Sequence, residues 1–263
     1  QEQQYKGSML DGSLHHLTDE GNIKYILANV TGPTSRYFSK NHRSFLWIDD
    51  VILVIDDVCS HEDGTFSLLF HPDGVSRKNG IDLSVVNQQA AVDIRPLWPD
   101  YLTESDFEHD FPYNLKLKAH QGPKAKKTDE METYYSVTYP IKAQSVKFIT
   151  AIILKDSPAS KNIPQVTRLK GDDLQGVRIA KGDKITDVYL NTRADGHIMH
   201  RNSCTNVNGW DTDAYLLAFS YKKGTDPAVS KNILEWFIGY GSYVRNAHES
   251  IFDSYTKKYK VIR

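Results

Sequence analysis

The stretch that decides the fold runs over residues 43–72, RSFLWIDDVILVIDDVCSHEDGTFSLLFHP. It holds three apolar runs, 45–48, 51–58 and 66–70, rich in Ile, Val, Leu and Phe. These side chains suit the pleated, half-buried surface of a sheet, so each run predicts a strand. Asp49-Asp50 reads as the turn between the first two runs, and His61-Glu62-Asp63-Gly64 as a hairpin turn between the last two. The middle run is apolar at nearly every position, which predicts a strand buried on both faces. The stretch is the centre of a large antiparallel β core.

Working outward, strands are predicted at 13–17 and 23–30, split by Asp19, Glu20, Gly21 and Asn22. On the other side, Asp73-Gly74 and Asn79-Gly80 mark turns, and 81–86 with 90–94 read as a hairpin around Asn87 and Gln88. Residues 113–118 alternate, Leu115 and Leu117 against Lys116 and Lys118, as a half-buried strand does. The next segment, HQGPKAKKTDEMET at 120–133, has no periodicity and reads as a charged loop. Residues 146–154 are again apolar almost throughout.

From residue 166 short strands recur at 177–180, 186–190, 197–200, 214–221, 233–238 and 259–262. Turns such as Lys181-Gly182-Asp183, Asn208-Gly209 and Lys223-Gly224 lie between them, the spacing of a sandwich. One short helix is expected at 230–236. The fold expected is all-β: a single large antiparallel β-sandwich over 1–263, supersandwich-like, with little helix.

The chain has 263 residues, is 40% hydrophobic and carries a formal net charge of −1, so it can build a substantial core but has no overall basic field of the kind nucleic acid attracts. A local basic patch could still meet an acidic polymer, because screening makes nearby charges count most. Cys59 and Cys204 are the only cysteines, too few for a disulfide framework. No apolar run approaches the ~20 residues of a membrane span, and the N-terminus, QEQQYKGSML, has no apolar segment after a basic start.

A family resemblance is carried by Arg43 and Trp47 before the Val/Ile run, by Ile55, Asp56 and Asp57 at its end, and by Phe70-His71 closing the next strand. Further matches are Arg36-Tyr37, Phe148-Ile149-Thr150, Thr212-Asp213-Ala214 and Gly241-Ser242-Tyr243. The pattern resembles the β-sheet domain of the heparinase II/III-type polysaccharide lyases, which follows a helical toroid in that family. The resemblance implies part of a lyase that cleaves uronic-acid-containing polysaccharide by β-elimination, in the periplasm or secreted. It also implies a helical catalytic domain as partner, on the parent chain or a separate one. The family's H-x-H-x-D-x-G-x-F stretch and its His-Asn pair are absent, so no catalytic residue is assigned. No cofactor or metal is expected, and the isolated chain is expected to be inactive. A stand-alone carbohydrate-binding module and a purely structural sandwich are the rival readings.

Contacts to an acidic sugar chain are expected from Lys124, Lys126 and Lys127, next to Lys116, Lys118 and Tyr134; the plainer reading of these lysines is a solvated loop. Arg201, Trp210 and Tyr243 lie in late turns where an exposed side chain could meet a pyranose ring. His15, His16 and His71 are the candidates for a cleft. Because strand side chains alternate, only one of His15 and His16 can face inward. Asp49-Asp50 and Asp56-Asp57 read as a turn and a strand end rather than a glycosidase pair, since neighbours on a strand point to opposite faces.

Overall fold

The structure, a computed structural model, describes residues 10–80, 82–88, 90–99, 115–124, 127–171, 173–194 and 204–263, except for the side chains at 124 and 127–129. The expected all-β antiparallel class is found, in two compact units. Unit one comprises Gln1–Leu17 and Tyr25–Lys161, and unit two Thr18–Lys24 and Asn162–Arg263.

The first sheet contains β1 (Ser13–Glu20), β2 (Ile23–Asn29), β3 (Phe38–Ile48), β4 (Val51–Phe70), β5 (Val75–Asn79), β6 (Asp82–Asn87), β7 (Ala90–Trp98), β8 (Lys116–Lys124) and β9 (Lys127–Lys155). Its order is β1-β2-β3-β4-β9-β7-β6-β5, with β8 also paired to β9. A four-residue helical turn, α1 (Thr31–Thr34), links β2 to β3. The core forms where the sheet curls on itself. Leu83 and Val85 of β6 share one buried cluster with Leu117 of β8, Val137 and Phe148 of β9, and Val58, Phe66 and Leu68 of β4. The run 51–58 is buried almost throughout, as its unbroken apolar sequence predicts.

Three expectations are corrected here. His61-Glu62-Asp63-Gly64 is not a hairpin turn, because β4 continues through it to Phe70. Cys59 opposes Ser145 and Gly64 opposes Ala143, so residues 60–63 bulge out against Gln144 alone. The bulged carbonyls gain side-chain partners: Ser60 Oγ lies 2.5 Å from the Glu62 oxygen, and Gln144 Nε2 donates to the His61 oxygen at 3.4 Å. The segment expected as a loop at 120–133 is strand over its described residues, 120–124 in β8 and 127–133 in β9, in register from Lys116↔Thr138 to Pro123↔Met131. Main-chain pairing, which needs no apolar period, holds these polar strands. The helix expected at 230–236 is a single 3₁₀ turn, Ser230–Asn232, before a strand begins at Ile233. The strand expected at 197–200 lies outside the described residues.

The second sheet contains β10 (Gln165–Gly171), β11 (Leu174–Lys181), β12 (Lys184–Asn191), β13 (Thr205–Val207), β14 (Trp210–Thr212), β15 (Leu216–Lys222), β16 (Ile233–Arg245) and β17 (Ser250–Ile262). Its order is β10-β11-β12-β15-β16-β14-β13, with β17 against β16. Trp210, Phe219, Trp236, Ile238 and Val244 lead its core. Asn208 (φ 49°) and Gly209 (φ 86°) turn β13 into β14, with both central residues in the left-handed region a two-residue hairpin favours. That turn pairs Val207 with Trp210.

Candidate functional site

Two residues assigned separately from sequence, His71 and Tyr134, meet on the outer face of the ribbon made by β4, β9 and β8. Tyr135 pairs with Phe70 of β4 and with Ala119 of β8, and the Tyr135 and Phe70 side chains lie on the core side. Their neighbours therefore turn outward, which lines up His71, Tyr134 and His120. The Tyr134 ring lies 5.1 Å from the His71 ring at 13° and 4.9 Å from the His120 ring at 16°. The phenol is thus sandwiched between two imidazoles. Lys116 and Lys118 stand on the same face of β8 as His120, so the row of rings continues into a row of cations.

Each imidazole has a polar partner. His71 Nδ1 is 3.0 Å from Glu132 Oε1, and His120 Nε2 is 2.8 Å from Ser136 Oγ. Beside His71 opens a cleft of about 460 Å³, whose walls include Asp73, Ser76, Glu132, Thr133 and Tyr135. Ser76 Oγ and the Tyr135 hydroxyl lie 2.9 Å apart within it. The site offers stacked rings, hydroxyls, a carboxylate and flanking ammonium groups. Such a set grips hydroxyl-rich and anionic rings by hydrogen bonding and charge. His120 and Glu132 were not singled out from sequence. The signal was there: continuing the alternation of 115–118 by one more step puts His120 on the lysine face.

His15 and His16 lie elsewhere on unit one. His16 is the more buried, its ring 6.3 Å from that of Tyr25, and burial pushes its pKa below the ordinary value. His15 is exposed, with Nε2 3.1 Å from Asn29 Nδ2 and its ring 5.9 Å from that of the buried His42. Across the ladder from His42 is Asp57, which receives both Lys40 and Lys147 on Oδ2, at 2.6 and 2.5 Å. Burial pushes the Asp57 carboxyl up, but the two ammonium groups outweigh it and hold it below the usual carboxylate range. On the neighbouring residue, Arg43 Nε meets Asp56 Oδ1 at 2.6 Å.

Trp210 is corrected outright: it is fully buried, packs edge-on at 5.1 Å against Trp236 and donates Nε1 to the Pro227 oxygen at 2.9 Å. It is a core residue and offers no face to a sugar. Tyr243 is half-buried beneath the Arg245 guanidinium, 4.7 Å from its ring centre, and burial followed by a hydrogen bond with Cys204 pushes its pKa up. Lys126, Arg201 and the side chains of Lys124 and Lys127 lie outside the described residues. The backbones of Lys124 and Lys127 pair near the hairpin end. Both cysteines are free thiols. Among the described residues, no three His, Cys, Asp or Glu side chains gather as a metal would need.

No protein-family profile and no curated protein sequence matches the chain. Its fold matches solved structures. A heparinase III crystal structure aligns with a TM-score of 0.50 and 11% identity over 68% of this chain and 27% of its own. Heparan sulfate lyase HepC from Pedobacter heparinus aligns with a TM-score of 0.51 and 12% identity over 71% and 29%. Another heparinase III structure gives 0.50 and 14% over 69% and 28%. At such identities the likeness is one of fold, and the chain spans less than a third of the length of these proteins. It has a heparinase-like β-domain fold.

Proposed function

We propose that the chain is the β-sheet domain of a polysaccharide lyase acting on uronic-acid-containing polysaccharide outside the cytoplasm, in the periplasm or secreted. In this reading it forms a wall of the substrate cleft and relies on a helical catalytic domain, on the parent chain or a separate one, for the elimination step. The fold shared with heparinase III supports the class. The observation that carries the binding role is the outward row His71–Tyr134–His120 running into Lys118 and Lys116. β-Elimination needs a group to neutralise the uronate carboxylate, a base for the C5 proton and an acid for the leaving oxygen. The row supplies contacts and charge. The two imidazoles are held against Glu132 and Ser136 rather than gathered around one reacting atom.

The test is to mix the chain with heparin, heparan sulfate, chondroitin and alginate, following binding by calorimetry and turnover by the ultraviolet absorbance of the unsaturated uronate. The expected result is binding to at least one polymer, weakened by His120→Ala and Tyr134→Ala, without turnover. Turnover by the chain alone would overturn the non-catalytic role, and absence of binding to all four would overturn the reading itself.

A further inference from the structure

The second sheet carries a feature that the ribbon site leaves unused. On β17, Asp253 opposes Tyr243 of β16 and Lys258 opposes Gly241, so four residues, 254–257, stand against Ser242 alone. This wide bulge is braced from beneath. The buried Asp213 carboxylate accepts the Ser242 N–H at 2.7 Å, the Ser242 hydroxyl at 2.6 Å and the Tyr243 N–H at 3.3 Å. Lys257 Nζ lies 3.8 Å from Asp213 Oδ2 and 5.8 Å from the centre of the Tyr240 ring, which in turn packs 5.8 Å from Tyr259. At the crest of the bulge Tyr255 is completely exposed, at 109% of its reference area.

Cations predominate along β17 around Tyr255. Lys258 and Lys260 are exposed and form no ion pair among the described residues, and Arg245 lies over the exposed side of Tyr243. Asp253 at the foot of the bulge is the only acid in β17. Lysines on an edge strand ordinarily discourage strand addition. That explains the cations but neither the bare tyrosine nor the bracing under it. Bulges re-aim side chains, and this one aims an aromatic ring into solvent between cations.

We infer that the β17 bulge is a second polysaccharide-binding strip, in which Tyr255 stacks on a sugar ring while Lys258, Lys260 and Arg245 take the carboxylates or sulfates of a linear acidic polysaccharide. The ligand class rests on the function proposed above; the location rests on the bulge. A strip one strand wide on a chain of net charge −1 suits an extended sugar chain better than a nucleic-acid duplex.

The experiment measures heparin binding to the full chain by calorimetry over a range of NaCl concentrations. It compares wild type, Tyr255→Ala, the pair Lys258→Gln with Lys260→Gln, and the ribbon pair Lys116→Gln with Lys118→Gln, each with a thermal melt to confirm folding. The β17 lysine pair is expected to lose about fivefold in affinity per lysine and to lower the salt slope by about one per lysine. Tyr255→Ala is expected to lose about fivefold or more at every salt concentration, as a stacking loss does. Wild-type affinity in both β17 variants, with binding lost only in the ribbon pair, would overturn the strip and leave the proposed function standing. Loss in the β17 variants alone would support the strip and remove the ribbon from the binding surface. Equal binding of a DNA duplex, lost through the same β17 substitutions, would overturn the choice of polysaccharide, and no heparin binding by wild type would overturn both.

Discussion

Asp56 and Asp57 are neighbours on one strand, yet their carboxylates occupy opposite faces, and their protonation is shifted in opposite directions. Burial raises Asp56, and the half-exposed Arg43 does not offset it. Burial also opposes Asp57, but Lys147 and Lys40 together reverse the outcome. Oδ2 of Asp56 is buried without a hydrogen-bond partner, whereas Oδ2 of Asp57 receives two ammonium groups.

The two sites therefore respond oppositely to acid. Asp57, with its folded pKa depressed, adds stability that is fully present above its unfolded value of about 4 and drains away as pH falls through the folded value. Asp56, with its folded pKa raised, adds stability at low pH that is lost as pH rises through its folded value. Asp57→Asn should cost about 3–5 kcal/mol at neutral pH, since Lys40 and Lys147 lose the charge between them. Asp56→Asn should stay within about 1 kcal/mol of wild type, because it removes an ill-satisfied charge. Urea melts at several pH values check both. Acid-induced losses of wild type and Asp57→Asn that run parallel would refute the anchoring role of Asp57.

Trp210→Ala should destabilise the chain by about 3–5 kcal/mol, as an emptied aromatic core site does. Trp210→Phe keeps most of the packing against Trp236 but loses the bond to the Pro227 carbonyl, for about 1 kcal/mol. In denaturant titrations the folded Trp210→Phe protein should bind heparin as wild type does. A selective loss of polymer affinity would restore Trp210 to the binding surface.

Tyr134 fills the gap between two imidazoles, so Tyr134→Phe should preserve both stability and polymer binding, while Tyr134→Ala should lower both. The stability cost of the alanine variant is about 1–3 kcal/mol, one part for each ring pair. Comparing the two variants by thermal melt and calorimetry separates the ring from its hydroxyl.

Gly241 ends the β17 bulge where the chain passes close to another strand segment. A Cβ there would stand 2.9 Å from the Ala214 backbone Cα and 2.8 Å from its Cβ. Gly241→Ala should therefore cost about 1–3 kcal/mol through a forced backbone shift. Protection of the amides around 242–258 in hydrogen exchange should fall with it. An unchanged exchange pattern would mean that the bulge tolerates the shift.

Much of the fold was legible where burial wrote it into the sequence. The unbroken apolar run at 51–58 and the alternation of Leu115 and Leu117 with their lysines both found their faces. The polar stretch at 120–133 was not legible, because the strand character of its described residues comes from the pairing of β8 with β9, which leaves no apolar period. The same silence hid Glu132, whereas His120 was within reach of the alternation at 115–118 carried one step further. Trp210 was misjudged for a different reason. A tryptophan beside a turn glycine reads alike whether exposed or buried, but the Asn208-Gly209 turn puts it opposite Val207, and that apolar pair marks the buried face.

The offset in β4 has a consequence for how the sequence can change length. Four residues at 60–63 face Gln144, and further on three residues of β9, 140–142, face Thr65 alone, so a surplus on one strand is followed by a surplus on the other. An insertion or deletion within either loose segment can be taken up locally, leaving the ladders on both sides in step. One residue removed from 51–58 has no such slack. It would turn Asp57 away from Lys40 and Lys147 and present Asp56 to them, exchanging the two faces of the strand in a single step.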